Sequence, residues 1–398
     1  MKILFIAGQA IKSNTSVTMM NIAYIKGLIE AGNSVKVITS KLPDGHIASD
    51  NGFELPNTLE VEELNISSSF NALSSKRIGS KRVVFNNLKK VLRKAYNSFS
   101  LYGPQKSWIK NVDSFSSDEY YDLIISSSDP KHSHLFAKLL IEKKKVLYGK
   151  WIQIWGDPMY IDITRNSKLF NKRFYNEEER LISAADKVIY VSPFTADKQK
   201  ELFPKYQDKI DYILIPYFTL DDTLPRNVNG NDMIFGYFGD YNSKVRNLKP
   251  LYNAAIKSKT KLTIRGNSDK PLTKKTDIDI SGRISIKELN ELEKKTDVFI
   301  HLCNTNGTQI PAKVYYYSGT KKPILFILDG ESKKIKSFFE KYKRFVFCEN
   351  NREDIIKAIN EIKSRKFSEV KNEVLDELSP VSIANDLLRK VGGDKFNE

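Results

Sequence analysis

The chain has 398 residues, of which 40% are hydrophobic and 11% aromatic, enough apolar material for two domains with their own cores and too much for a disordered chain. No stretch approaches the ~18 uninterrupted apolar residues that span a bilayer, and the short apolar run after Met1 has no small-residue cleavage site, so no signal peptide is expected. Lysine and arginine number 64 against 48 aspartate and glutamate, a net charge of +16, which selects for anionic partners: nucleic acid, an anionic membrane surface or a polyanionic substrate.

Ile3–Ala7 reads as a buried parallel strand ending at Gly8-Gln9. Val17, Met20, Tyr24, Leu28 and Ala31 then recur at helical spacing, Gly32 stands at the C′ position, and Val35–Thr39 is a second strand. Strand, helix and strand with apolar strands is the opening of a doubly wound sheet. Gly8 has no partner glycines in GxGxxG spacing, so the dinucleotide fingerprint is absent. Leu59–Leu64 is a further strand. Residues 76 to 110 form a basic insertion with ten Lys or Arg and no acid. Within it Val84, Leu88, Val91, Leu92, Ala95 and Phe99 share one helical face. Lys89, Lys90, Arg93 and Lys94 lie mostly on the other, and Tyr102 and Trp108 follow. Such a helix suits an anionic membrane surface, at about 1 kcal/mol per basic residue near it. It equally suits a core-facing helix with a solvated basic side, and nucleic acid is the third reading.

Leu123–Ser127 is the next strand and runs into Ser128-Asp129-Pro130-Lys131-His132-Ser133-His134. Trp151–Trp155 runs into Gly156-Asp157-Pro158. Ligands of open α/β sheets lie beyond the carboxyl ends of strands, so both loops should border one crevice. Two of the four histidines and two aspartates, Asp129 and Asp157, fall there. Glu177, Glu178 and Glu179 read as a helix-surface feature before the strand Val188–Val191. Tyr212–Tyr217 is expected to close a first domain of residues 1–218, and the polar, turn-rich residues 219–232 to link it to the second.

The alternating pattern then restarts. Ile234–Phe238 is a strand, followed by the loop Gly239–Asn247 and a helix face of Leu248, Leu251, Tyr252, Ala255 and Ile256. A glycine at the strand end lets backbone approach a ligand, and Lys244 and Arg246 can reach phosphate there. Leu262–Ile264 leads to Arg265-Gly266-Asn267, and Ile278–Ile280 to Ser281-Gly282-Arg283. Ser285 and Glu288 form a capping box. Asp277-Ile278-Asp279 looks like a metal-binding DxD, but its place at a strand argues against that. Cys303 and Cys348 lie in apolar runs without metal spacing and read as buried free thiols. Val298–Leu302 and Pro323–Leu328 are buried strands. Between them a polar loop leads to a short helix that Pro311 can open and Gly319 close, with the N–H groups of Thr308, Gln309 and Ile310 near its positive end and Lys313 one turn in. Residues 233–378 form the second domain, and 379–398 carry a last helix with Val381, Ala384, Leu387 and Leu388 on one face.

The run Gly307-Thr308-Gln309-Ile310-Pro311-Ala312-Lys313-Val314-Tyr315, with Gly319 and Lys322-Pro323-Ile324-Leu325, resembles the donor-site signature of retaining glycosyltransferases of the GT-B fold. The match is to family four, notably bacterial members that build surface polysaccharides. That family carries two glutamates separated by seven residues, and both are replaced here, by Thr308 and Tyr316. The first normally contacts the donor sugar and the second its ribose. The resemblance implies an α/β chain of two Rossmann-like doubly wound domains facing a central cleft, the last helix crossing back to the first domain. It implies a hexosyltransferase that needs no metal or cofactor and moves sugar from a UDP- or GDP-linked donor to a glycan or lipid-diphosphate-linked acceptor. Related transferases have a Ser-Ser-x-Pro-x-His-Ser-like loop and an Asp-Pro loop in the first domain. By that likeness Asp157, His134 and His132 are the catalytic candidates, and Gln9 and Asp129 lie on the acceptor side. The donor-side set is Gly239, Lys244, Arg246, Arg265, Gly266, Gly282, Arg283, Thr308, Gln309, Ile310, Lys313 and Tyr316. The expected place is the cytoplasm, peripheral on the inner face of the plasma membrane, with no nucleic-acid partner. Two other readings stay open: a sugar-nucleotide 2-epimerase, and a non-catalytic GT-B binding partner.

Overall fold

The structure is a computed structural model that describes the chain except residues 43–45, 47–48, 51, 67–99, 164, 166–169, 222–228, 365–371 and 393–398. The expected membrane-facing side chains Lys89, Lys90, Arg93 and Lys94 therefore lie outside the described residues. The chain divides into two compact units, Met1–Leu214 with Pro380–Glu398, and Ile215–Ser379.

The first unit is built on seven parallel strands: β1 (Lys2–Ala7), β2 (Ser34–Lys41), β3 (Glu60–Asn65), β4 (Tyr120–Ser127), β5 (Leu147–Trp155), β6 (Lys187–Tyr190) and β7 (Ile210–Tyr212), in the order β3-β2-β1-β4-β5-β6-β7. A parallel sheet is covered on both faces, which is why β1 is apolar along nearly its whole length. Helices α1 (Ser16–Glu30), α2 (His132–Glu142), α3 (Asn171–Ala184) and α4 (Pro193–Leu202) supply the cover. Thr15 caps α1 by accepting from the Thr18 N–H, and Gly32, at φ 81°, turns the chain out of its end. Strand order reverses direction between β1 and β4, and the loops leaving these two strands are therefore the ones that flank a ligand crevice.

The second unit repeats the plan with β8 (Ile234–Phe238), β9 (Lys261–Arg265), β10 (Ile278–Ser281), β11 (Val298–Leu302), β12 (Ile324–Leu328) and β13 (Phe345–Glu349), in the parallel order β10-β9-β8-β11-β12-β13. Its reversal lies between β8 and β11. The helices are α5 (Lys249–Lys257), α6 (Ile286–Lys295), α7 (Lys313–Tyr317), α8 (Ser332–Phe339) and α9 (Arg352–Lys363). The Ser285–Glu288 capping box is present at α6. The last helix, α10 (Pro380–Gly392), packs on α1 in the first unit. Its start sits so close that a Cβ on Gly27 would lie 2.0 Å from the Pro380 carbonyl oxygen.

Three expectations change. The run Tyr212–Tyr217, expected to close a first domain of residues 1–218, is strand only to Tyr212; beyond the Ile213 N–H bond to Tyr190 the chain leaves the sheet, still apolar and buried, and the first unit's opening stretch ends at Leu214. Tyr102 and Trp108, which the membrane reading of the basic insertion set beside a lipid surface, are core residues: Trp108 lies in a 3-10 segment (Pro104–Val112) and stacks on Phe136 at 4.3 Å. Glu178, expected on a helix surface, is fully buried. Among the described residues no helix is long and apolar enough to cross a membrane, and no cluster of three metal-ligating side chains occurs. Cys303 and Cys348 are buried free thiols.

Candidate functional sites at the strand ends

In the second unit the loops leaving β8, β9 and β10 are laced together by main chain. The Gly239 N–H donates to the Arg265 carbonyl (2.8 Å) and the Gly266 N–H to the Ser281 carbonyl (3.1 Å). Gly266 has φ 155°, and a Cβ there would lie 2.0 Å from the Gly239 carbonyl oxygen, so only glycine fits. Gly282 stands opposite Asn267. Asp240 accepts from the Asn267 N–H (2.8 Å) and from Arg283 (3.0 Å at Nε). Burial alone would raise the Asp240 carboxyl, but the Arg283 and Asn267 bonds win and hold it below the usual range. Arg265 is bonded to Asp279 and to the Ile264 carbonyl, which makes it a clamp between β9 and β10.

Arg246 is held differently. Its Nε and Nη2 donate to Asn304 Oδ1 (3.2 and 2.9 Å) and its Nη1 to the Asp240 carbonyl (3.2 Å), all neutral oxygens. Asn304, just past β11, also donates from Nδ2 to the Gln309 carbonyl (3.0 Å). Thr305 bonds the Val245 carbonyl through its N–H and the Lys244 carbonyl through its hydroxyl. The loops of β8 and β11 thus form one structure on the two sides of the reversal point, with a guanidinium at its centre and Lys244 exposed beside it. Thr308 is half-buried, and Gln309 and Ile310 are buried.

The helix beyond this loop is shorter than its flanking proline and glycine suggest. It begins at Lys313, has no side-chain cap and spans five residues, so little dipole adds up behind the loop. Lys313 is turned into protein: Nζ lies 4.0 Å from Glu293 and over the Tyr316 and Tyr317 rings, and burial lowers its pKa. Its charge is therefore answered by Glu293. Tyr316 is buried with its ring toward Phe218, 6.4 Å away. His301 and Cys303 lie 3.7 Å apart; burial drives the imidazole down to about 3 and the thiol up to about 12. Both are neutral at pH 7, which removes them as a thiolate–imidazolium pair.

In the first unit the loops of β4 and β5 converge on Lys131. Its ammonium pairs with Asp129 (2.6 Å) and Asp162 (3.4 Å), and Asp157 adds its charge to the surroundings. Burial would lower the Lys131 pKa; the three carboxylates more than offset it and hold it above the ordinary value. Gln9 donates from its amide to Ser13 Oγ (2.6 Å). His132 and His134, the histidine candidates for catalysis, are fully buried. His132 packs against Trp108 and so near Gly8 that any side chain there would strike it; burial takes its pKa to about 3. His134 lies 2.8 Å from Ser126 Oγ and against Trp155, with its pKa held far down by burial.

The loop that carries Asp157 and Asp162 is anchored by Glu178 of α3. Its carboxylate accepts from the Met159 N–H (3.0 Å) and the Tyr160 N–H (2.7 Å). Burial pushes the carboxyl up to about 7 despite these bonds. The folded chain thus keeps a proton that the unfolded chain releases near 4.5, so Glu178's contribution to stability falls as pH rises from about 4.5 to about 7. In Glu178→Gln that part of the slope should vanish. Urea midpoints measured from about pH 5 to pH 8 would show it, and parallel profiles for the two proteins would refute it.

No family model matches the chain, and no curated protein matches it in sequence. Solved structures do match in shape over nearly the whole length. TarM superposes with a TM-score of 0.63 at 9% identity, covering 98% of both chains. The lipopolysaccharide outer core galactosyltransferase WaaB, in its apo form, gives 0.53 at 11%, covering 98% of this chain and 99% of its own. UGT89C1 of Arabidopsis thaliana, complexed with UDP-L-rhamnose, gives 0.51 at 10%, covering 98% of both.

The fold is GT-B.

Within this GT-B chain, the strand ends of the second unit bring together Gly239, Lys244, Arg246, Gly266, Gly282, Arg283 and the Thr308–Ile310 loop. Arg265, Lys313 and Tyr316 are engaged elsewhere. Asn304, which fixes Arg246, and Lys131, Asp162 and Glu178, which fix the first unit's loops, do not stand out in the sequence.

Proposed function

We propose that the chain is a glycosyltransferase that takes a sugar from a UDP- or GDP-linked donor held by the second unit and passes it to a hydroxyl of a glycan or lipid-linked acceptor held by the first. The observation that carries this reading is Arg246, a guanidinium fixed by neutral oxygens at the β8/β11 reversal point. A planar cation placed so can take a diphosphate in two parallel hydrogen bonds. During transfer the bond from the sugar anomeric carbon to the phosphate oxygen breaks and the diphosphate keeps the electron pair. Arg246 and Lys244 meet the charge that develops there. The acceptor oxygen bonds the anomeric carbon and its proton passes to the departing diphosphate, with Asp157 orienting the hydroxyl. The reading includes retention of configuration and no metal, as the family likeness implies. The similarity to a galactosyltransferase and to a structure holding a nucleotide sugar supports it. The basic insertion at 76–110 supports a place at an anionic membrane surface, on the inner face of the plasma membrane, and a role in surface polysaccharide synthesis.

The test is release of nucleoside diphosphate from UDP- and GDP-sugars in the presence of membrane extract as acceptor source, with proton NMR of the anomeric signal in the product. Release from one donor, lost in Arg246→Ala, is the expected result. An epimerised sugar with no nucleoside diphosphate released would replace the reading with an epimerase.

A further inference from the structure

Gln309 is a polar side chain without polar company. It is 9% exposed, and among the described residues neither its Oε1 nor its Nε2 makes a hydrogen bond. The main chain fixes its place: its carbonyl accepts from Asn304 Nδ2, and Asn304 Oδ1 accepts from Arg246. The main chain that carries the unanswered carboxamide is thus tied through one residue to the cation at the strand-end loops. Leaving a buried amide unpaired destabilises a fold, and a leucine of similar size would not. Positions where a chain breaks a packing rule in this way tend to be binding positions, where the missing partner arrives with the ligand.

The chemistry of the group narrows what that partner is. A carboxamide offers an acceptor and two donors side by side. A diphosphate brings acceptors only, so it would satisfy Nε2 and set Oε1 against another oxygen; Arg246 matches it better. A pair of neighbouring hydroxyls both gives and accepts protons and satisfies both amide atoms. We propose that the Gln309 carboxamide reads a hydroxyl pair on the transferred sugar, so that the site favours a nucleotide sugar with an uncharged, hydroxyl-bearing ring over the bare nucleoside diphosphate. This assignment rests on the transferase reading and names a sugar-selecting residue within it.

The experiment compares wild type with Gln309→Leu by calorimetric titration of the full chain with UDP, UDP-glucose, UDP-galactose, GDP and GDP-mannose. For the tightest-bound nucleotide sugar, the ratio of its affinity to that of its own nucleoside diphosphate should fall about tenfold or more in the variant, with the diphosphate affinity unchanged. Unliganded Gln309→Leu should also melt about 2–4 °C above wild type, since it buries no unpaired amide. If diphosphate and nucleotide sugar weaken together, or the ratio does not move, the sugar assignment is overturned while the donor site stands. A melting point equal to or below wild type overturns the premise that the amide lacks a partner. If no nucleotide binds wild type, the transferase reading falls and this assignment with it.

Discussion

Lys131→Met is expected to destabilise the first unit by roughly 3 kcal/mol. The substitution keeps the aliphatic length and removes the ammonium. Asp129 and Asp162 are then left close together with Asp157 and without the ammonium that pairs with both Asp129 and Asp162. Removing one partner of a buried ion pair costs about 3–5 kcal/mol, because the other charge stays desolvated. The lower end applies here, since the Asp129 side chain is 30% exposed and water answers part of its charge. Urea unfolding of the variant against wild type and Lys131→Arg measures it. Arginine should recover a good part of the loss. If Lys131→Met unfolds at the wild-type midpoint, the three carboxylates are solvated on their own and Lys131 does not organise the loops of β4 and β5.

Arg246→Ala should weaken binding of nucleoside diphosphates by about 100-fold, which is roughly 2.7 kcal/mol. A hydrogen bond to a charged group contributes about 1.5–3 kcal/mol, and a bidentate contact to a diphosphate lies at the upper end. Stability should change less than affinity, because the bonds lost within the protein are to neutral oxygens, on Asn304 and the Asp240 carbonyl. Asn304→Ala supplies a control of a different kind. It leaves the guanidinium in place but frees it to swing, so affinity should fall by an intermediate amount. Equal loss in both variants would show that orientation, rather than charge, carries the binding.

The two sheets are legible in the sequence because a parallel strand is buried on both faces and therefore appears as an unbroken apolar run, as at Ile3–Ala7, Val298–Leu302 and Ile324–Leu328. The reversal points follow from strand order, and with them the loops at Gly8, Ser128, Gly239 and Asn304. Where apolar runs do not belong to a sheet the same signal misleads, as at Ile213–Tyr217. Residues 331–363 contain α8, β13 and α9; β13 is the apolar run that holds Cys348, and α9 has Ile355, Ile359 and Ile362 at helical spacing behind an Asn351 cap. Arg246 stands out as a cation at a helix approach. Its holder Asn304 does not, because a hydrogen bond across 58 residues leaves no trace in local pattern. Glu178 hides inside an acidic triplet, and only the fold shows that its position on α3 faces the backbone of Met159 and Tyr160. The histidines mislead for the opposite reason: they sit at the head of α2, beyond a strand end, but their rings point into aromatic core.

The central claim is that the loops leaving β8 and β11 bind a nucleoside diphosphate through Arg246. Isothermal titration of the full chain with UDP and with GDP, beside Arg246→Ala, tests it most directly. The prediction is saturable binding of one of the two with a Kd within the range of about 1 μM to 1 mM usual for enzyme substrates, lost or greatly weakened in the variant. Absence of binding of either nucleotide at about 1 mM, or binding equal in wild type and variant, would contradict it.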